Sequence, residues 1–270
     1  MQVTLPEKTE ITEPYSRFLW EGECNTFAEF FYIPEIAVKG GLIRKEDFYD
    51  AYEDEESFYF FYHTLGGSDY YALRLYKKGE MERQTIYLPE KYRGEIHSRL
   101  IFSLIGFEDI AVSLNSAVIH ASYIDTGGGA VLFTAPCGTG KSTQAALWET
   151  HKNSEIINGD KALIYEKDGE HYAGGLPFSG SSDICKNKSL PVKAVVRLYQ
   201  GRENKALRLT GAQAYAVVYE GCCRSLWSKS LNQKIASIAA EIAETVPVVR
   251  FDCLPDASAV KELEEFLKTL

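Results

Sequence analysis

Val131-Leu132-Phe133-Thr134-Ala135-Pro136-Cys137-Gly138-Thr139-Gly140-Lys141-Ser142-Thr143 decides how this chain is read. Its first residues form an apolar run that predicts a strand over Ala130–Thr134. A turn rich in small residues follows, and the apolar spacing of Ala145, Ala146 and Leu147 predicts a helix from Ser142 to His151. The string reads A-x-x-x-x-G-K-S-T, a relaxed form of G-x-x-x-x-G-K-[ST] with Ala135 at the first position.

That order of residue types suits one chemistry. Small residues let the backbone wrap an anion with several inward N–H groups, and Gly138 and Gly140 tolerate the dihedrals such wrapping needs. The helix that opens there directs its positive end at the same point. Lys141 brings an ammonium to terminal phosphates, and Ser142 a hydroxyl to a magnesium ion. The expected ligand is a nucleoside phosphate, ATP or ADP with Mg2+, held by Pro136, Cys137, Gly138, Thr139, Gly140, Lys141, Ser142 and Thr143. Cys137 reads either as an oxidation-sensitive thiol at a helix mouth or as a small tolerated residue.

A magnesium–nucleotide site also needs a carboxylate. Asn158-Gly159-Asp160 follows a short predicted strand at Glu155–Asn158. If that strand lies parallel beside Val131–Thr134, both C-terminal ends share one sheet edge, where ligands of open α/β sheets bind. Asp160 then faces Ser142 across the metal; the plainer reading of N-G-D is a turn.

Further along, Lys161–Tyr165 and His171–Ala173 flank Lys167-Asp168-Gly169-Glu170, a hairpin signal. Strands are expected at Ser116–Tyr123, Val192–Tyr199 and Val246–Phe251, and helices at Gly211–Glu220, Ser230–Glu244 and Ala257–Leu270. The segment Gly174–Ser182, dense in glycine and hydroxyls, reads as a loop that either returns to the site or stays on the surface. Arg197, Arg202 and Arg224 are candidate cations for a transferring phosphoryl group, though sequence places none of them there.

The first ~95 residues have another texture. They are aromatic, with Phe58-Tyr59-Phe60-Phe61-Tyr62, and strands at Tyr70–Leu75 and Arg83–Leu88 join through Lys77-Lys78-Gly79-Glu80. A helix is expected within Gly94–Leu114. Residues 1–95 therefore read as a small β-rich subdomain and 96–270 as an α/β domain. A net charge of −9 disfavours a nucleic-acid partner, and no apolar run reaches the length of a membrane span. Six cysteines without C-x-x-C spacing fit reduced thiols in a cytoplasmic protein.

Residues 132–143, with Ile119-His120-Ala121 and Asn158-Gly159-Asp160, resemble the C-terminal catalytic domain of HPr kinase/phosphorylase. That family shares its phosphate-loop fold with phosphoenolpyruvate carboxykinases, and the resemblance covers roughly residues 115–200. It implies a mixed sheet with flanking helices. It also implies a kinase that moves a phosphoryl group from ATP or ADP to a hydroxyl of a small molecule or a peptide serine. By position, Lys141 and the loop amides would hold the β- and γ-phosphates, Ser142 and Asp160 the metal, and His120 would stand close to the catalytic acid. The family carries two consecutive aspartates after the strand, and Gly159 stands at the first. Three readings stay open: Asp160 serves both tasks, His120 is the base, or the chain is a regulatory or peptide-maturation accessory that binds nucleotide with little transfer. His120 also fits a core histidine on an apolar strand. Kinship of fold adds a weaker carboxykinase reading. The oligomeric state is not legible.

Overall fold

The computed structural model describes residues 1–64, 69–178, 180 and 182–270. Contacts divide the chain into two units: Met1–Ser113 with Ser225–Lys229, and Leu114–Arg224 with Ser230–Leu270. The division falls after Ser113, beyond the boundary expected at residue 95. The reason is packing, since Ile96, Ile101, Leu104, Ile105 and Ile110 are buried in the core of the first unit.

The first unit is a seven-stranded sheet, in the order β1-β2-β7-β6-β5-β4-β3. Its strands are β1 (Gln2–Thr4), β2 (Phe27–Ile33), β3 (Gly41–Lys45), β4 (Tyr49–Glu53), β5 (Ser57–His63), β6 (Tyr70–Lys77) and β7 (Arg83–Pro89). β1 and β7 each run parallel to β2, and the remaining pairs are antiparallel. Strand alternation sends Ala28, Phe30, Ala72, Ile86 and Leu88 to one face, under the helices α1 (Ser98–Leu104) and α2 (Phe107–Ser113). The helix expected over 94–114 is thus two, parted at Ile105-Gly106. Gly106 is pinned: its N–H donates to Gln84 Oε1 at 3.0 Å, and a Cβ there would lie 1.8 Å from Arg74 Nη1.

The second unit holds a nine-stranded sheet. Its elements are β8 (Ala117–His120), β9 (Ser122–Asp125), β10 (Ala130–Thr134), α3 (Lys141–Lys152), β11 (Glu155–Asn158), β12 (Lys161–Lys167), β13 (Glu170–Gly174), β14 (Ser189–Gln200), β15 (Lys205–Leu209), α4 (Gly211–Gly221), α5 (Lys229–Thr245), β16 (Val248–Cys253) and α6 (Ala257–Leu267). The long strand β14 belongs to two leaves. Its start pairs with β13, leading on to β12 and β8; its remainder runs parallel to β10 and β16. On the other side of β10 lie β9 and then β11, both pairs antiparallel. Phe133, Val196, Leu198, Val249 and Phe251 meet Trp148 of α3 and Val260 and Leu263 of α6 in one core. Each such buried side chain contributes roughly 1.5–3 kcal/mol. Among the described residues, no helix is long and apolar enough to cross a membrane.

Two expectations change here. Residues 116–123 do not form one strand: the chain leaves one leaf after His120 and enters the other at Ser122. Nor does β11 lie beside β10, because β9 stands between them. Since β9 is antiparallel to both, β10 and β11 still point the same way, and their C-terminal ends share one edge. The 12-residue helix α3 makes the crossover over that intervening strand.

Candidate functional site

At that edge β10 ends in buried Thr134, and the chain turns through residues 135–140 into α3. Thr139 N–H donates to Pro136 O at 3.3 Å, closing the turn. Gly138 and Gly140 have φ of 76° and 114°, in the left-handed region. A Cβ at either would meet nothing within 4 Å, so the dihedral itself, not crowding, calls for glycine. Gly140 is the N-cap and no side chain caps the helix, which leaves the N–H groups of its first turn to face outward. Ser142 and Thr143 are exposed there.

Lys141 folds back over this loop. Its ammonium donates to Ala135 O at 2.9 Å and reaches Pro136 O at 3.5 Å. Burial lowers its pKa; Cys137 and Asp160 act to raise it, and Arg197 lowers it further. Lys141 thus shares an electrostatic neighbourhood with one carboxylate and one guanidinium.

The carboxylate is placed by the two crossings between leaves. At one, the chain passes from β8 to β9 through Ala121; at the other, from β11 to β12 through Gly159-Asp160. They are tied together: Ala121 N–H donates to Asp160 O at 2.9 Å, and Ser122 Oγ donates to Gly159 O at 3.1 Å. His120 and Lys161 are register partners in the β8–β12 ladder. The result brings His120 Nε2 to 3.2 Å from Asp160 Oδ1. His120 is exposed, so the reading of it as a core histidine is overturned: Ala117, Val118 and Ile119 are buried, and β8 comes to the surface at its last residue.

Asn158, fully buried, holds this corner. Its Nδ2 donates to Leu176 O (3.1 Å) and Phe178 O (2.7 Å), and its Oδ1 accepts from Asp160 N and Lys161 N, both at 2.9 Å. One amide therefore fixes both the Asp160 turn and the loop after β13, which sequence alone left free. The same loop brings Gly180 so close that a Cβ would lie 2.9 Å from Asp160 Cγ. Of the segment 174–182, Leu176 and Phe178 are thus tied to Asn158, and Gly180 lies against Asp160; Ser179 and Ser181 lie outside the described residues.

Of the three candidate arginines, Arg197 reaches the loop. It pairs in register with Thr134 at the end of β10. With Leu198, Tyr199 and Gln200 it forms one wall of an open groove of about 390 Å³, whose other wall is Pro136, Cys137, Gly138 and Thr139. Arg202 is exposed beyond β14, and Arg224 lies over the Tyr219 ring at 5.4 Å. Cys137 is an exposed free thiol in the groove wall.

Burial lowers the pKa of His120 most; Asp160 pulls it up, and Lys141 and Lys161 push it down. The imidazole is therefore neutral at pH 7. A proton NMR titration of the His120 ring is expected to find a midpoint below the ordinary 6.5. Asp160→Asn, which removes the raising charge, moves it lower still. A midpoint above the ordinary value, or one that rises in Asp160→Asn, contradicts this arrangement.

Among the described residues no three His, Cys, Asp or Glu side chains gather into a metal cage. The donors expected for a metal are a carboxylate, Asp160 after β11, and a hydroxyl, Ser142 in the first turn of α3. Such a donor set suits magnesium that keeps its waters and takes its other ligands from phosphate oxygens.

No protein-family model matches the chain, and no curated protein matches it in sequence. Among solved structures it is similar to the HPr(Ser) kinase/phosphatase from Coxiella burnetii. The two share 14% identity at a TM-score of 0.33, over 56% of this chain and 93% of that one. This is a distant likeness of fold.

Proposed function

We propose that the chain is a phosphotransferase that moves a terminal phosphoryl group from ATP or ADP to a hydroxyl, on a small molecule or a peptide serine. The observation that carries this reading is the His120–Asp160 pair, 3.2 Å apart, on the sheet edge where the loop 135–140 and Lys141 stand. An anion loop alone explains binding. A neutral imidazole held by a carboxylate beside it explains transfer.

In this reading the first-turn amides of α3 and the Lys141 ammonium bind the phosphates. Asp160 Oδ1 accepts from His120 Nε2–H, which fixes the tautomer and leaves Nδ1 as the proton acceptor. The acceptor hydroxyl loses its proton to Nδ1 while its oxygen bonds to phosphorus. The bond from phosphorus to the bridging oxygen breaks, and the electron pair leaves with the shortened nucleotide. Ser142 and the second oxygen of Asp160 would hold magnesium, which supplies charge neutralisation at the phosphates. Gly159, at the first acid position of the resembled motif, is tied through backbone to Ile184 O and Ser122 Oγ. It brings no carboxylate, so His120 takes the role of base.

The test is incubation with labelled nucleotide, magnesium and a panel of serine, other small alcohols and peptides. Transfer to one class is expected, with a loss of about 10²–10⁴-fold in Asp160→Ala. Saturable nucleotide binding with neither transfer nor hydrolysis for any acceptor overturns the transfer reading and leaves a nucleotide-binding accessory.

A further inference from the structure

The groove between residues 136–139 and 197–200 has no role in the steps above. Phosphoryl transfer sets the attacking and leaving oxygens roughly in line across phosphorus. Across the edge the strands run β11, β9, β10, β14. His120 and Asp160 flank β9 and β11, on one side of the loop. An acceptor that meets His120 attacks from that side, so the leaving nucleotide departs on the other, toward β14.

That far side is built for such a group. Arg197 is largely buried, its side chain 13% exposed. Its Nη2 donates to Glu220 Oε2 at 3.1 Å, while its buried Nε has no partner among the described residues. Two residues on, and so on the same face of β14, stands Tyr199. Arg250 stacks on one face of its ring, 4.3 Å from the centroid, and is itself held by two 2.9 Å bonds to Asp252. Arg250 thus covers one face of the ring, yet Tyr199 remains 37% exposed.

We infer that the nucleoside end of the donor lies in this groove, with Arg197 facing the leaving phosphate and Tyr199 stacking on the base. The assignment rests on the phosphotransferase reading and extends it to the donor's recognition: a base with a flat π-face is held, and a bare polyphosphate is not distinguished by the loop alone.

The experiment is calorimetry with magnesium–ATP and with magnesium–tripolyphosphate on the full chain. Tyr199→Ala is expected to weaken ATP about tenfold and leave tripolyphosphate unchanged. Tyr199→Leu, which keeps apolar contact under Arg250 but no π-face, is expected to do the same and serves if the alanine variant does not fold. Arg197→Gln weakens both ligands. If wild type binds both ligands and neither Tyr199 variant changes the ATP affinity, the groove assignment is overturned and the loop reading stands. If wild type binds neither ligand, the loop reading itself fails and the groove goes with it.

Discussion

Replacing Lys141 by alanine is expected to lower the transfer rate by about 10²–10³-fold, with thermal stability little changed. Nucleotide affinity falls with it by roughly 10–100-fold, the worth of one charge-assisted bond. The ammonium is partly buried and held on the carbonyls of Ala135 and Pro136, in a place where burial and Arg197 both lower its pKa. No carboxylate forms an ion pair with it among the described residues. In the proposed reading a phosphate relieves this position, because it exchanges two neutral carbonyl acceptors for an anion. The fold depends little on the side chain, which among the described residues makes those two bonds to backbone carbonyls. Lys141→Arg is not expected to rescue, since a planar fork does not reproduce a compact point charge inside a tight loop. The check is stopped assays of transfer beside calorimetry and a melting curve. A Lys141→Ala protein that transfers at the wild-type rate ends the phosphate-loop reading.

What the sequence disclosed follows from the range of the interactions involved. The loop, its preceding strand and the helix after it were legible because the cause is local: apolar run, small residues, then helical spacing. The β12–β13 hairpin was legible for the same reason, since Asp168 and Gly169 both adopt left-handed φ as the D-G signal implies. The insertion of β9 between β10 and β11 was not, because pairing order is set by long-range packing. The break at Ala121 carries no glycine or proline to mark it, and its partner, Asp160 O, lies on another segment. Asp160 and His120 could be named from sequence, but their contact could not. Arg197 could not be told from Arg202 and Arg224 until β14 was seen to run parallel to β10 with Arg197 opposite Thr134. Asn158 was quoted only as part of a turn; four hydrogen bonds from one buried amide become visible only in three dimensions. In the first unit, Trp227 packs on Phe58 and Phe60 at ring-centroid distances of 4.7 and 5.0 Å, from a part of the chain that sequence assigns elsewhere.

The second large effect concerns stability, and lies in the first unit. Asp109→Ala is expected to cost about 3–5 kcal/mol, the range for breaking one side of a buried ion pair. Asp109 and Arg74 side chains are 10% and 8% exposed, with Arg74 Nη2 donating to Asp109 Oδ2 at 3.2 Å. Tyr76 hydroxyl donates to the same oxygen at 3.3 Å, and the guanidinium carbon lies 4.3 Å from the Phe60 ring centroid. Truncation at Asp109 leaves a buried cation without its hydrogen-bonded carboxylate. Arg74→Met with Asp109→Leu should recover most of the loss, because it removes both desolvation costs together. The pH dependence has a definite sign. Burial raises the Asp109 carboxyl to about 6 against the attraction of Arg74, so the carboxyl is ionised at pH 7. A folded pKa above the unfolded 3.8 gives a contribution present in full below the unfolded value and lost as pH rises through about 6. The melting temperature of this unit should therefore decline between about pH 4 and 6, and Asp109→Asn should flatten that decline. Chemical denaturation of the full chain measures the cost, and melts across that pH range measure the slope. An Asp109→Ala cost below about 1 kcal/mol, the value of an exposed pair, shows that water reaches Arg74 and that the pair is not closed.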